Sequence, residues 1–222
     1  MATMRTYGDG CGIAHALDLV GERWALLIVR ELLLGPKRFT DLRDGLPNAS
    51  PNVLAQRLRE LEQASVVRRR KLPPPASSRV YELTDWGREL EPVIRTFGLW
   101  AVRSPTFPHD APVGTDSLVL ALGTLFDADA AEGLSASYEL RLGESSFRAR
   151  IADGTIELRR GPADDADAIV VTAADTLAAI LWGDRELDDA VQAGEVRIDG
   201  DRRAVARFVG LFPQPAPVAQ PA

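Results

Sequence analysis

The stretch Ser50-Pro51-Asn52-Val53-Leu54-Ala55-Gln56-Arg57-Leu58-Arg59-Glu60-Leu61-Glu62-Gln63 predicts an amphipathic helix with a well-marked start. Ser50 offers a side-chain oxygen to the orphan N–H groups of the first turn. Pro51 suits the first helical position, where its φ is preset and its missing N–H is not needed. At about 100° per residue, Leu54, Leu58 and Leu61 share one face, and Asn52, Gln56, Arg59 and Gln63 gather on the other. The leucines seek a core. Asn, Gln and Arg carry the paired donors and acceptors that match base edges in a DNA major groove. An ordinary surface helix also has two such faces, so the flanking segments have to decide.

Upstream, Ile13, Ala16, Leu17 and Val20 recur at helical spacing, and a second helix is expected from about Glu22 to Leu34, closed by Gly35-Pro36. Its run Trp24-Ala25-Leu26-Leu27-Ile28-Val29 is apolar nearly all round, as befits a central core helix. Lys37-Arg38-Phe39 leads into a short helix with Thr40 as its expected N-cap, and Pro47-Asn48-Ala49 breaks it just before Ser50. Short helix, tight turn and polar-striped helix follow in the order of a helix-turn-helix, whose second member enters the groove. Downstream, Val66 to Leu72 and Arg79 to Thr84 are β-prone and joined by the Pro-rich 73–78 segment, which predicts a hairpin, or wing. Its basic residues Arg68, Arg69, Arg70, Lys71 and Arg79 suit phosphates. Asp85 then caps a helix predicted from Trp86 to about Val102. Its apolar surface, including Ile94, Phe97 and Trp100, exceeds what one small winged domain has to cover. A second copy packing there gives a dimer; a monomer with this helix on its own core is the alternative.

Charge is divided unequally along the chain. Lys and Arg number 16 against 12 Asp and Glu through residue 104 and 10 against 20 beyond it, so a net charge of −6 conceals a basic first half. Nucleic-acid binding depends on such a local patch, not on the total. No apolar run reaches the ~18 to 20 residues of a membrane span, and no basic segment followed by an apolar core opens the chain, so a cytoplasmic protein is expected. A single cysteine, Cys11, cannot form an intramolecular disulfide, and with only His15 and His109 as imidazoles no Cys/His zinc cluster is available. No cofactor, metal or enzyme activity is expected: Asp164, Asp165 and Asp167 sit in a turn, and Ser145 and Ser146 have no base placed by the pattern.

Beyond a Pro-rich boundary at 105–114 the character changes. A helix over Asp116 to Phe126 precedes period-2 segments at 136–142 and 147–151, further strands at 155–160, 168–172 and 196–198, and helices at 174–182, 187–193 and 201–211. The expectation is an α+β domain with one sheet and helices on one side. The Pro/Ala-rich tail from Pro213 has no predicted role.

Four stretches in order, Cys11-Gly12-Ile13-Ala14-His15-Ala16-Leu17-Asp18-Leu19-Val20-Gly21-Glu22-Arg23-Trp24, Leu32 to Phe39, Ser50 to Leu58 and Val80-Tyr81-Glu82-Leu83-Thr84, resemble HxlR-type winged-helix transcription regulators over about residues 11–103. The resemblance implies a homodimeric repressor or activator on double-stranded DNA. The helix from Ser50 would then lie in the major groove, with Asn52, Gln56 and Arg59 toward bases and Lys37, Arg38, Ser50, Arg68, Arg70 and Arg79 toward the backbone. Arg57, on the flank of the stripe, is assigned to phosphate or packing. Some members of that family sense oxidants or electrophiles through a cysteine near the position Cys11 matches, which makes Cys11 a candidate redox sensor beside a merely structural role.

The stretches Asp167 to Thr172, Leu177 to Gly183 and Gly194 to Asp201 are similar to sterol-carrier-type lipid-binding domains over about residues 115–212. That likeness implies a cavity for a hydrophobic small-molecule effector, lined by Leu118, Leu122, Phe126, Tyr138, Leu140, Leu181, Trp182, Phe208 and Phe212; for each the competing reading is plain core. The fold expected is thus α+β: a winged helix-turn-helix DNA-binding and dimerisation domain (1–104), a linker (105–114), a smaller-sheet sterol-carrier-like domain (115–212) and a tail (213–222). The function expected is DNA-binding regulation of transcription, with repression as its direction. The competing class is a lipid- or metabolite-binding protein whose winged domain makes protein contacts.

Overall fold

The computed structural model of the protein describes residues 6–73, 77–109 and 111–219. Residues 74–76 of the Pro-rich hairpin tip and the end of the tail lie outside them. By its internal contacts the chain divides into two compact units, one up to Ile94 and one from Arg95.

The first unit opens with α1 (Gly12–Val20) and α2 (Ala25–Leu33). The second helix starts later than its apolar run suggests, because Trp24 takes a left-handed backbone conformation, φ 78°, as its N-cap. Next come α3 (Phe39–Gly45) and α4 (Pro51–Gln63). Arg38, not Thr40, caps α3, and its N–H donates to the Asp41 carboxylate at 2.9 Å. Strands β1 (Val67–Lys71) and β2 (Arg79–Leu83) form the antiparallel hairpin, with Arg68 opposite Glu82 and Lys71 opposite Arg79. The hairpin is anchored at the middle of β2: Lys37 and Tyr81 exchange both backbone hydrogen bonds, at 3.0 and 2.8 Å. One hydrophobic core joins Ile28, Val29 and Leu32 of α2, Leu42 of α3, Leu54, Leu58 and Leu61 of α4, and Val67 and Leu83 of the hairpin. The predicted 86–102 helix is broken. Thr84, not Asp85, caps a single turn α5 (Asp85–Arg88), its Oγ1 accepting from Gly87 N–H at 2.9 Å, and α6 (Leu90–Val102) follows.

The boundary between the units falls inside α6, ahead of the Pro-rich 105–114 segment that composition marks. The second half of α6 belongs with the C-terminal unit because Arg95 packs its guanidinium beside Gly123, where no Cβ intervenes, and Arg103 C=O accepts from Val218 N–H at 2.8 Å.

In the second unit, α7 (Thr115–Leu125) precedes β3 (Ala136–Leu142), β4 (Ser145–Ala152), β5 (Thr155–Arg160) and β6 (Ala168–Thr172). Helices α8 (Ala174–Trp182) and α9 (Leu187–Gln192), strand β7 (Arg197–Gly200) and helix α10 (Arg202–Val209) complete it. The sheet runs β5-β4-β3-β6-β7, antiparallel except for the central β3–β6 pair. The predicted alternation sets its two faces. Tyr138, Leu140, Leu142, Phe147, Ala149, Ile151, Ala168 and Val170 are buried on one. Against that face Tyr138 meets Phe208 of α10, ring centroids 4.6 Å apart, and Arg160 lies over Phe147 while pairing with Asp116 of α7. The opposite face carries a lattice of charges. Its centre is the buried Glu139, which accepts from Arg141 Nε at 2.6 Å and Ala163 N–H at 3.3 Å. Arg141, donating the first of these bonds, holds the Glu139 carboxyl below its ordinary pKa against the opposing effect of burial.

Candidate nucleic-acid interface

Helix α4 separates its two faces as its spacing demands. Leu54, Leu58 and Leu61 are 0–1% exposed, whereas Asn52, Gln56, Arg59 and Gln63 are exposed. Ser50 caps the helix, its Oγ accepting from Val53 N–H at 3.4 Å, so the first turn opens outward with its donors ordered. Gln56 rests on its own helix, Nε2 donating to Glu60 Oε1 at 3.0 Å, a bond that a base edge can replace.

The basic residues divide into those built into the fold and those left outward. Arg57 belongs to the first group. Its side chain is only 14% exposed, and it donates to Glu22 at 2.8 Å, to Arg23 C=O at 3.1 Å and to Glu60. Of the two roles expected for Arg57, packing is the one its contacts display: its fork ties α4 to the segment before α2. Lys37 is corrected likewise. Its ammonium lies 2.5 Å from Glu31 and is 12% exposed, because Glu31 is buried and needs the cations of Lys37 and Arg30. Arg38, at the start of α3, is exposed, as is Arg79 at the outer end of β2.

On the wing, Arg68 and Arg70 both donate to Glu82 at 2.8 Å, yet their side chains stay 58% and 46% exposed. Glu82 itself is buried and acts as the pin from which two arginines fan outward. Sequence reading passed over Glu82, although the hairpin register that sets it opposite Arg68 was within reach. Arg69 turns to the other side, to Glu62 at 2.8 Å and over the Tyr81 ring at 5.2 Å. At the outer end Lys71 faces Arg79 directly. Like charges directly opposed weaken a hairpin, and here they concentrate positive potential at the wing.

The dimerisation candidates differ among themselves. Phe97 and Trp100 are 56% and 71% exposed and stack on each other, centroids 5.8 Å apart. Ile94 is instead half-buried against the N-terminal core, where it helps to cover α2 and α4. In the N-terminal unit, Ile13 and Leu17 of α1 are also exposed apolar residues. Cys11 is exposed at the N-cap of α1, and the N–H groups of Ala14 and then Ile13 hold its thiol below its ordinary pKa.

The effector candidates are mostly core. Leu118, Leu122, Tyr138, Leu140, Phe208 and Phe212 are 0–1% exposed. Their rings interlock, Tyr138 on Phe208 and Phe208 on Phe212 at 4.9 Å, so they fill the space between sheet and helices instead of lining a void. Phe126, Leu181 and Trp182 are half-buried, and Trp182 Nε1 donates to Phe212 C=O at 2.9 Å. Among the described residues no group of three or more His, Cys, Asp or Glu side chains is placed to hold a metal ion, and no helix is long and apolar enough to cross a membrane.

Residues 19–105 match the family model described as HxlR-like helix-turn-helix, and residues 112–218 match the one described as alkyl sulfatase C-terminal. The second match is to a family other than the sterol-carrier type expected there. The HTH-type transcriptional regulator YvaP of Bacillus subtilis is 40% identical over 94 residues, 41% of this chain and 87% of that protein. YodB, another HTH-type transcriptional regulator of Bacillus subtilis, is 41% identical over 86 residues, 39% of this chain and 77% of its own length. The solved structure of reduced YodB aligns with 43% of this chain and 95% of that one, at 37% identity and a TM-score of 0.39. A structure of the sec-alkyl sulfatase PisA1 aligns with 45% of this chain but only 16% of its own, at 24% identity and a TM-score of 0.42. Through residues 19–105, and with 40% identity over 87% of one relative's length, the chain belongs to the HxlR-like helix-turn-helix family.

Proposed function

We propose that this protein is a sequence-specific DNA-binding transcription regulator that acts as a homodimer. The observation that carries the reading is α4: Asn52, Gln56 and Arg59 stand exposed in one stripe on a helix whose opposite face is fully buried, and a basic hairpin follows it. In this reading the stripe meets base edges, while Arg38, Arg68, Arg70, Arg79 and the α4 N-terminus at Ser50 meet phosphates. A second copy covers Phe97, Trp100 and the exposed face of α1, placing two α4 helices on two half-sites. The YodB and YvaP likenesses support the regulator reading.

The C-terminal unit serves as the ligand-taking module, sterol-carrier-like in having one mixed sheet with helices over one face. Its ligand changes operator affinity by binding one arrangement of the dimer better than another. A gel shift of the full chain with the DNA upstream of its own coding region tests the reading. A complex that survives excess random DNA at moderate salt is expected. Retention no stronger than on random DNA overturns it in favour of a metabolite-binding protein with a winged protein-contact domain. A promoter fusion in cells with and without the protein then tests for repression, the expected direction.

A further inference from the structure

The space between sheet and helices in the C-terminal unit is packed, but a cleft of about 400 Å³ opens elsewhere in the same unit. Its apolar walls are Leu99 of α6, Leu125 and Phe126 at the end of α7, and Pro213 and Pro215 of the tail. Leu99 is 40% exposed in this cleft, unusual for a leucine with apolar neighbours on hand. The tail residues form a fixed wall. Phe212 C=O accepts from Trp182 Nε1 at 2.9 Å, Val218 N–H donates to Arg103 C=O at 2.8 Å, and Gln214 reaches His109 at 3.4 Å.

Two features make the described lining of the cleft acidic. Asp127 and Asp129 line it. The Asp127 carboxylate is held in place by the N–H groups of Asp129 and Ala130, at 3.0 and 3.1 Å, so its charge is pre-positioned. The C-terminal end of α7, at Thr124 and Leu125, also lines the cleft, and the Arg95 guanidinium lies beside Gly123 in the same last turn. Among the described residues that line the cleft there is no Lys or Arg. Phe126, whose ring packs on Phe212 at 6.1 Å between centroids, puts an aromatic residue of the kind that attracts ammonium and phosphonium groups at the edge of the cleft.

We propose that this cleft is the effector site and that it takes lipophilic organic cations, a compact apolar body bearing one positive charge. A fatty acid or other anionic amphiphile meets two carboxylates there and is rejected. As an effector site the cleft presupposes the regulator reading, whereas ligand uptake does not. Binding is therefore measured without DNA, so that its failure and a failed gel shift are separate results.

Tetraphenylphosphonium and tetraphenylborate form a matched pair of one shape and opposite charge. Calorimetric titration of the full chain with each should give one saturable phosphonium site per chain, with the borate at least about tenfold weaker. Asp129→Asn, at an exposed position that makes no hydrogen bond through its carboxylate in the turn, should weaken phosphonium binding about fivefold, the scale of one charge contact near a protein surface. Ala128→Trp, exposed on the cleft wall, should block binding by filling the space while circular dichroism reports an intact fold. Equal affinity for the two ions overturns the proposal. So does phosphonium binding that both substitutions leave unchanged, or no binding of either ion at millimolar concentration.

Discussion

Gln56 and Arg59 differ from Arg79 in what they can offer DNA. The first two stand on the outer face of α4, where a groove-bound helix meets base edges; the third sits at the outer end of the wing, beside Lys71. Gln56→Ala or Arg59→Ala should therefore cost about 1–3 kcal/mol on the operator and far less on random DNA. Arg79→Ala should weaken both alike and reduce the salt slope by about one. Fluorescence anisotropy over a salt series checks this, and equal losses on both sequences from Gln56→Ala would remove it from base readout. Cys11 offers a second test at this scale. Because the α1 N–H groups favour its thiolate, the midpoint of its alkylation rate against pH should fall below that of a free cysteine thiol, and thiolate should persist at pH values where an ordinary thiol is already protonated. A midpoint at or above the ordinary value contradicts that capping. Arg57 shows the limit of reading a residue from its helix position. Its flank placement was legible, but Glu22 lies 35 residues away, and only the folded chain brings the two together.

At the scale of elements, the wing is a hairpin stretched over one buried carboxylate. Glu82→Gln keeps the shape and removes the charge that holds Arg68 and Arg70. Stability should fall by about 1–2 kcal/mol as charge-assisted bonds become neutral ones. Binding to random DNA should tighten at low salt with a steeper salt dependence, since two arginines lose their internal counter-charge. Urea melts and the same anisotropy series read both effects; unchanged binding with a destabilised wing would leave Glu82 a purely structural pin. The turn after the wing is equally constrained. Gly87 sits so close to the Val66 carbonyl that a Cβ there would collide with backbone, so Gly87→Ala should lose about 1–3 kcal/mol in a denaturant melt. The break between α5 and α6 falls where Pro92, flagged by the sequence as a bend, has no N–H to offer the Arg88 carbonyl, while Thr84 caps a turn pressed against Ser65 and Val66. Helical periodicity from 86 to 102 carries no sign of that tertiary contact.

At the scale of the molecule, α6 and α1 carry more exposed apolar surface than the chain covers by itself. Trp100→Glu places a charge in the stacked pair with Phe97, and the double variant with Phe97→Glu should shift sedimentation velocity from dimer to monomer at micromolar concentration. Operator affinity should fall with it, because one half-site contact is lost. A variant that remains dimeric would move the interface off this face. What the chain decides locally was legible from its residues alone: the cap and the two faces of α4, the basic hairpin, the alternation of β3 and β4, and the division of charge between the halves. These follow from side-chain period and capping, which act over a turn or a strand. The tertiary structure alone decided which arginines are spent inside, where the units part within α6, and that six of the predicted lining residues are packed core while Phe126 borders a cleft beside the tail. Those outcomes depend on contacts between residues far apart in sequence and on how completely side chains fill the space they share, which no local pattern encodes.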